Sequence, residues 1–400
     1  MAMNKDIVIV GGARTPFGKF LGSLKDIDSV ELGVIASKEA IKRARITPDR
    51  IDHVVFGNVI QTHKGSIYLA RHIGLKAGVP ISTPALTVNR LCGSGLQAIV
   101  YGAQMLLLGE ATFVLAGGTE NMSQAPYILR GAREGFRLSF AGHEPKLEDA
   151  LGDALVDTYH DTPMAITAEN LAEKYQITRQ ESDEFALRSQ MRARSAITEG
   201  RLKEEIAPVE IKDKKGRLLV FDTDEHPRMD STLEGLAKLP PVFKKDGRVT
   251  AGNASGICDG AAAVVLTTAE VAEKEGLIPL GRLVSWGLAG VDPDIMGIGP
   301  ADASRAALKK ANLRLDEMDL IEINEAFATQ YLAVEKELGL HREKVNVNGG
   351  AIALGHPVGA SGTRLALTLL YELRRREAKW GLASLCIGGG QGIAAIFERI

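Results

Sequence analysis

The sequence predicts an α/β fold made of two related halves with mixed sheets, the first half carrying an inserted loop domain. Three observations predict it. A segment near the start recurs far downstream at a fixed offset. Two short apolar runs closed by glycines occupy matching places in the halves. The strand that should follow the first of these runs is displaced a long way along the chain.

The recurrence comes first. "SKEAIKRARITPDRID" (37–52) aligns without a gap on "SRAALKKANLRLDEMD" (304–319), an offset of 267, with six of sixteen positions identical and four others exchanging Lys with Arg or Ile with Leu. The same offset carries "HVVFGN" (53–58) onto "LIEINE" (320–325), and Ser94-Gly95 onto Ser361-Gly362. One such match can be accidental; three at one offset indicate a duplicated half. Val30, Val34, Ile41 and Ala44 recur at helical spacing, and a Pro-Asp turn then leads to the apolar strand "HVVFGNVI". "ATFVLAGG" (111–118) and "ASLCIGGG" (383–390) read as the paired strands. After the second, the chain goes directly to a last strand, "QGIAAIF"; after the first, the equivalent "DGAAAVVLT" waits until 259. The intervening segment is more charged and has its own helix signal, a capping box from Thr178 to Glu181. The expected division is 1–120 with 249–277 for the first half, 121–248 for the inserted loop domain and 278–400 for the second half.

Composition narrows the function. Four hundred residues exceed one ordinary core. Forty-three glycines stand against roughly 28 from average usage, so many tight turns are expected. A net charge of −2 argues against a broad nucleic-acid footprint. No apolar run reads as a membrane span of about 18 residues. "MAMNKDIVIVGGARTPFG" passes into a strand with no signal-peptide core, and "IAAIFERI" carries no lipidation or peroxisomal signal. Three cysteines, odd and sparse, make no disulfide framework; a reducing compartment is expected, and a cytoplasmic location with it. No two cysteines have zinc-site spacing, and "VIVGGARTPFG" lacks the full dinucleotide fingerprint, so neither a metal nor a nicotinamide cofactor is expected.

Four segments carry chemistry: "NRLCGSG" around Cys92, "NEAFA" (324–328), "GGAIALGHPVGASG" (349–362) and "CIGGGQG" (386–392). Gly93-Ser94-Gly95 before an apolar run puts Cys92 at a helix N-terminus, where a thiolate is favoured; the alternative is an inert buried cysteine. His356, in a glycine-rich loop, is either a proton acceptor or a satisfied loop histidine. Cys386 ends an apolar strand and opens a run of glycines that leaves room for close backbone approach, or it is a core cysteine. Asn324 reads as a helix cap or a functional amide. Cys258 reads as structural. The offset lays Cys92 on Gly359, Gly57 on Asn324 and Asn89 on His356. Each half can therefore supply at the junction what the other lacks.

At these motifs the chain closely resembles the thiolases. "GGARTPFGKF", "GGTENMS" (117–123), "VTAGNASGICDGAAAV" (249–264) and "IMGIGP" (295–300) extend the resemblance over nearly the whole length, with the degradative 3-ketoacyl-CoA or acetyl-CoA acetyltransferase branch the most similar. The resemblance implies five layers, α-β-α-β-α. It implies a Cys92 nucleophile that carries the acyl group, and His356 accepting its proton. Asn324 would hold a water that donates with His356 to a thioester oxygen. Cys386 would be the acid/base, and the N–H groups of Cys92 and Gly388 an oxyanion hole. It further implies coenzyme A as co-substrate, with no permanently bound cofactor, contacted by the loop domain through Arg228, Ser231 and Ser255. A homodimer or homotetramer is expected. Pro163 before Met164 departs from the His-Met of short-chain biosynthetic members, which suggests a wider acyl range than acetoacetyl alone. The alternatives are a strictly short-chain acetoacetyl-CoA thiolase, a decarboxylating condensing enzyme of the ketoacyl-synthase type, and a non-catalytic CoA- or lipid-binding relative. A second cysteine in "CIGGGQG" and the "GHPVGASG" loop favour thiolase over the synthase. Retention of Cys92, His356 and Cys386 favours an active enzyme.

Overall fold

A computed structural model describes residues 6–133, 135–136, 146–212 and 215–400. The first half runs β1 (Ile7–Arg14), α1 (Ser29–Arg43), β2 (His53–Gly57), α2 (Leu69–Ala77), β3 (Ala85–Val88), α3 (Ser94–Leu108) and β4 (Val114–Asn121). Helices α4 (Met164–Lys174) and α5 (Arg179–Thr198) lie in the segment that delays the returning strand β5 (Cys258–Thr268). The second half runs β6 (Gly281–Gly290), α6 (Gly299–Ala311), β7 (Leu320–Ile323), α7 (Ala328–Leu338), α8 (Val358–Arg375), β8 (Trp380–Ile387) and β9 (Gln391–Glu398). The helix starts follow local chemistry. The Asp28 carboxylate accepts from Glu31 N–H to cap α1, and Thr178 and Glu181 form the full capping box of α5.

Of the ten strands in the main sheet, nine hydrogen-bond in the order β7-β8-β9-β6-β1-β5-β4-β2-β3, and the two-residue strand Gly18–Lys19 pairs with β5 off that path. From the middle outward the first half reads β1-β5-β4-β2 and the second β6-β9-β8-β7. Both follow the sequence antiparallel, antiparallel, parallel. β3 adds a parallel strand beyond β2, and in the second half a single parallel bridge, Ile321 to Val345, stands at that place. The halves join where Ile7–Ile9 pairs antiparallel with Gly281–Leu283.

Alternation along the strands creates the layers. Ile7, Ile9, Val114, Ala116, Val264 and Leu266 face a core shared with Leu96, Ile99 and Leu106 of α3 and Leu365, Leu369 and Leu373 of α8. Leu385, Ala395 and Phe397 of the second half close on the same two helices from the other side. Val8, Val10, Leu115, Ala263 and Val265 turn outward to α1 and α2. Leu382, Ala394 and Ile396 turn outward to α6 and α7. The result is α-β-α-β-α. Strands covered on both faces read as nearly continuous apolar runs, which is why they stood out in the sequence.

One helix bears on the expectation that no run spans a membrane. Leu91–Leu108, with a mean hydropathy of 1.4, is long and apolar enough to cross a membrane, the one such stretch among the described residues. Its apolar side chains are spent in the middle layer, where α3 has sheets on both sides and so is apolar nearly all round.

The middle layer is held by a backbone contact between α3 and α8. A Cβ on Gly95 would lie 2.7 Å from Thr363 N, and one on Gly362 would lie 2.3 Å from Leu96 N. The offset of 267 relates Gly95 to Gly362 and Leu96 to Thr363, so the contact is its own mirror under the duplication. Thr363 Oγ1 also donates to Gly95 O at 3.0 Å. Only glycine permits this approach. Gly362→Ala is therefore expected to destabilise the fold by about 1–3 kcal/mol or more, as overpacking does; equilibrium urea denaturation measures it.

Candidate active site

Cys92 sits immediately before α3, on a turn that the chain holds out of its relaxed shape. Leu91 adopts φ +47, a left-handed conformation costly for a branched side chain. Three bonds pin it. Asn89 Oδ1 accepts from Leu91 N–H at 2.9 Å, Ser94 Oγ donates to Leu91 O at 2.7 Å, and Arg90 N–H donates to Ser94 Oγ at 2.8 Å. Arg90 Nη1 reaches Gln391 Oε1 at 3.1 Å and ties the turn to the second half. Cys92 is half-buried against a cluster containing Ile60, Met122 and Val358. Burial pushes its thiol up to about 11, while the N–H groups of Gly388 and of Cys92 itself bond the sulfur and favour the thiolate. The two donors expected to form an anion site thus converge on one atom.

His356 lies on the loop before α8 and is 6% exposed. Its Nδ1 is 2.6 Å from Ser361 Oγ and its Nε2 3.3 Å from Asn324 Nδ2. Burial, then the charge of Arg364, holds its pKa down to about 3, so the imidazole is neutral. The capping alternative for Asn324 does not stand: α7 starts at Ala328 with Phe327 as its cap, and the Asn324 amide faces His356 instead. Asn324 Oδ1 is buried with no partner among the described residues. Cys258 fills the space behind Gly355, whose φ of +97 and lack of a Cβ let the sulfur pack against the loop.

Cys386, near the end of β8, is fully buried with Met296, Ala326, Met164 and Phe327. Burial and the neighbouring Cys92 raise its pKa far above an ordinary thiol, so it is protonated at rest. A cavity of about 340 Å³ opens beside these groups. His356 and Ser255 contribute polar atoms to its wall; Met122, Leu155, Val156, Met164, Phe243 and Phe327 make the rest apolar. Such a cavity suits an apolar acyl thioester. Met164 links its parts: it lines the cavity, packs with Cys386, and its sulfur lies 3.3 Å from where a Cβ of Gly388 would stand.

The structure brings Cys92, His356, Asn324, Cys386 and Gly388 into one neighbourhood, with Ser255 on the cavity wall. Arg228 and Ser231 do not wall the cavity; they lie on a turn where Ser231 N–H donates to Arg228 O at 3.3 Å and Arg228 N–H to Gln190 Oε1 at 2.8 Å. Two residues escaped sequence reasoning. Ser361 was visible only as a repeat mark. Glu120, at the end of β4, is fully buried and accepts from Asn58 Nδ2 (2.8 Å) and from the N–H groups of Val59 (3.0 Å), Ile60 (3.1 Å) and Gly359 (3.0 Å). Burial pushes its carboxyl up to about 8 against those four donors. An acid closing an apolar strand in "GGTEN" was the available signal.

The chain matches the family model of the thiolase N-terminal domain over residues 7–270 and that of the thiolase C-terminal domain over 277–399. It is 53% identical over 398 residues to human "3-ketoacyl-CoA thiolase, mitochondrial", covering 100% of this chain and 99% of that one. It is 52% identical over 403 residues to the acetyl-CoA acetyltransferase of Syntrophomonas wolfei, covering all of both. The crystal structure of the human mitochondrial thiolase in complex with CoA superposes with a TM-score of 0.96 at 52% identity, covering 100% of this chain and 99% of that one. The expected cytoplasmic location is overturned: the human relative and those of Pongo abelii, Bos taurus and Mus musculus are all named mitochondrial. Unpaired cysteines report a reducing environment and do not say which membrane encloses it. By family models over both halves and by identity over its full length, this chain belongs to the thiolase family.

Proposed function

We propose that Cys92 carries the acyl group between the two half-reactions of a thiolase. The enzyme is an acyltransferase that cleaves 3-ketoacyl-CoA to acyl-CoA and acetyl-CoA, with coenzyme A as co-substrate. The observation that carries the assignment of roles is the meeting, beside one apolar cavity, of a thiol with two N–H donors on its sulfur, a neutral imidazole and a second buried thiol.

In the first half-reaction Cys92 Sγ bonds to C3 of the substrate and its proton passes to His356 Nε2. The C2–C3 bond breaks, its electron pair leaves on acetyl-CoA as an enolate, and Cys386 protonates that enolate at carbon. In the second, Cys386, now a thiolate, takes the proton of incoming CoA. The CoA sulfur attacks the acyl-Cys92 thioester, and His356 returns a proton to Cys92 as acyl-CoA leaves. Negative charge develops on oxygen in each of the two tetrahedral intermediates, within reach of the N–H groups of Cys92 and Gly388, and on the thioester oxygen of the enolate formed between them. Each such donor is worth about 2.7–4 kcal/mol of barrier. Asn324, through its unpartnered Oδ1, can hold the water that assists His356 at the thioester oxygen. At rest, burial keeps both Cys92 and His356 neutral from about pH 3 to about 11. Charge separates only when substrate supplies the oxyanion.

The apolar lining supports acyl groups longer than acetoacetyl, hence the degradative branch; activity across a series of 3-ketoacyl-CoA lengths decides between this and a short-chain enzyme. Residues 121–248 are assigned the loop-domain role. Ser255 on the cavity wall, with Arg228 and Ser231 on the nearby turn, is proposed to meet CoA, arginine suiting its phosphates. Association into a homodimer or homotetramer is supported by the exposed apolar residues Ile67, Tyr68 and Ile81.

Brief exposure to acetyl-CoA is expected to give an acetyl adduct on Cys92 by intact and peptide mass spectrometry. Cys92→Ser should form none on that residue and lose turnover. Cys386→Ala should lose exchange of the acetyl-CoA α-protons together with condensation; retained exchange would move the acid/base role elsewhere. His356 makes a pH prediction. The unfolded chain binds a proton there between pH 6.5 and about 3 and the folded chain does not, so stability is full above the unfolded pKa and falls as pH drops. His356→Gln should remove about 2 kcal/mol of the stability difference between pH 7 and pH 5, read from urea denaturation at the two values.

A further inference from the structure

The duplication carries one serine into two settings. Ser94 and Ser361 are related by the offset of 267, and each begins an interhalf contact through the glycine that follows it. Ser94 Oγ donates to Leu91 O at 2.7 Å and accepts from the N–H of Arg90 at 2.8 Å. Its hydrogen-bonding capacity is directed entirely to its own turn. Ser361 Oγ also bonds backward to its own turn, one residue further back, donating to Pro357 O at 3.0 Å. The residue that the offset lays on Arg90 is Pro357, and proline has no N–H to give. The lone pair that Ser94 offers to backbone is thereby left free at Ser361. His356 Nδ1 stands 2.6 Å from it, and both side chains are buried.

We propose that Ser361 is a positioning residue that fixes the tautomer of His356. Because the hydroxyl proton is committed to Pro357 O, Ser361 Oγ accepts at Nδ1, and the ring proton must reside on Nδ1. Nε2 then presents its lone pair to the cavity side, where its one hydrogen-bond partner among the described residues is the Asn324 amide at 3.3 Å. A neutral imidazole with a free Nε2 is the state that can take the Cys92 proton; the other tautomer cannot. The substitution of proline for a residue with an N–H, one position after the histidine, is what converts a structural serine into one that serves the chemistry. The inference rests on the reading of His356 as proton acceptor.

The test combines a variant cycle with a direct observation of the ring. Ser361→Ala should lower kcat for thiolysis of acetoacetyl-CoA by about 10–100-fold, the usual effect of losing an orienting partner, with KM within about twofold. In a His356→Ala background the same change should alter kcat by less than about twofold, since residues acting as a unit are non-additive. Ser361→Thr, which keeps the hydroxyl, should recover most of the rate. An unchanged kcat in Ser361→Ala, or an equal loss in both backgrounds, overturns the proposal. Should the alanine variant not fold, ¹⁵N spectra of histidine-labelled wild-type enzyme, with His356→Gln identifying the resonances, still decide: protonated Nδ1 and bare Nε2 support it, and protonated Nε2 overturns it. Failure of wild type to form the acetyl adduct on Cys92 sinks the reading of the function itself, a different outcome from an adduct that Ser361→Ala forms at wild-type rate.

Discussion

The approach of α3 and α8 at Gly95 and Gly362 is the constraint on which the rest of the molecule depends. Helices normally meet through side chains, which hold their backbones 8–10 Å apart. Here each glycine admits the backbone of the facing helix, and because the two glycines are duplicates of one position, the contact is satisfied twice by a single geometry. The N-terminal ends of both helices are drawn together by it. Cys92 precedes one of them and His356 the other. A side chain at either glycine would separate the two segments that the chemistry requires to be adjacent, and the sheets packed on either side of the helices would have to move as well.

Electrostatics around this junction are arranged by exclusion of water. Cys92, Cys386 and His356 are all held neutral by burial, and the thiols are raised while the imidazole is lowered. A free thiolate would be nucleophilic toward any electrophile that entered. A thiol whose ionisation is coupled to an arriving oxyanion is selective for carbonyl substrates that fit the cavity. The N–H groups on the Cys92 sulfur cost no reorganisation, since a strained turn at Leu91 already aims one of them.

The offset of 267 made the architecture legible because both copies kept their polar turn residues as well as their apolar pattern. Strand edges were less legible: the run at 111–118 forms a strand from Val114 to Asn121, because Gly117 packs against neighbouring strands and Gly118 against the two middle helices instead of ending it. Cys92, Cys386 and His356 stood out by residue type beside glycine. Ser361 and Glu120 did not, since their meaning lies in partners far away in sequence, Glu120 meeting Gly359 across the two halves. The apolar window at 91–108 showed the opposite failing: hydropathy records that a helix is surrounded by apolar matter, and a middle layer between sheets provides that as fully as lipid does.

Glu120 has a wider meaning. Its Oε2 accepts the N–H of Gly359, the residue that the duplication sets in register with Cys92. A doubled protein inherits two copies of every amide hydrogen, and in the first copy the one at this register bonds the Cys92 sulfur. In the second copy the chain has supplied a tenant of its own, covalently tethered and never released. Ancestral symmetry is thus broken by occupancy: one amide hydrogen is held permanently by a side chain from the other half, and its counterpart faces a thiol.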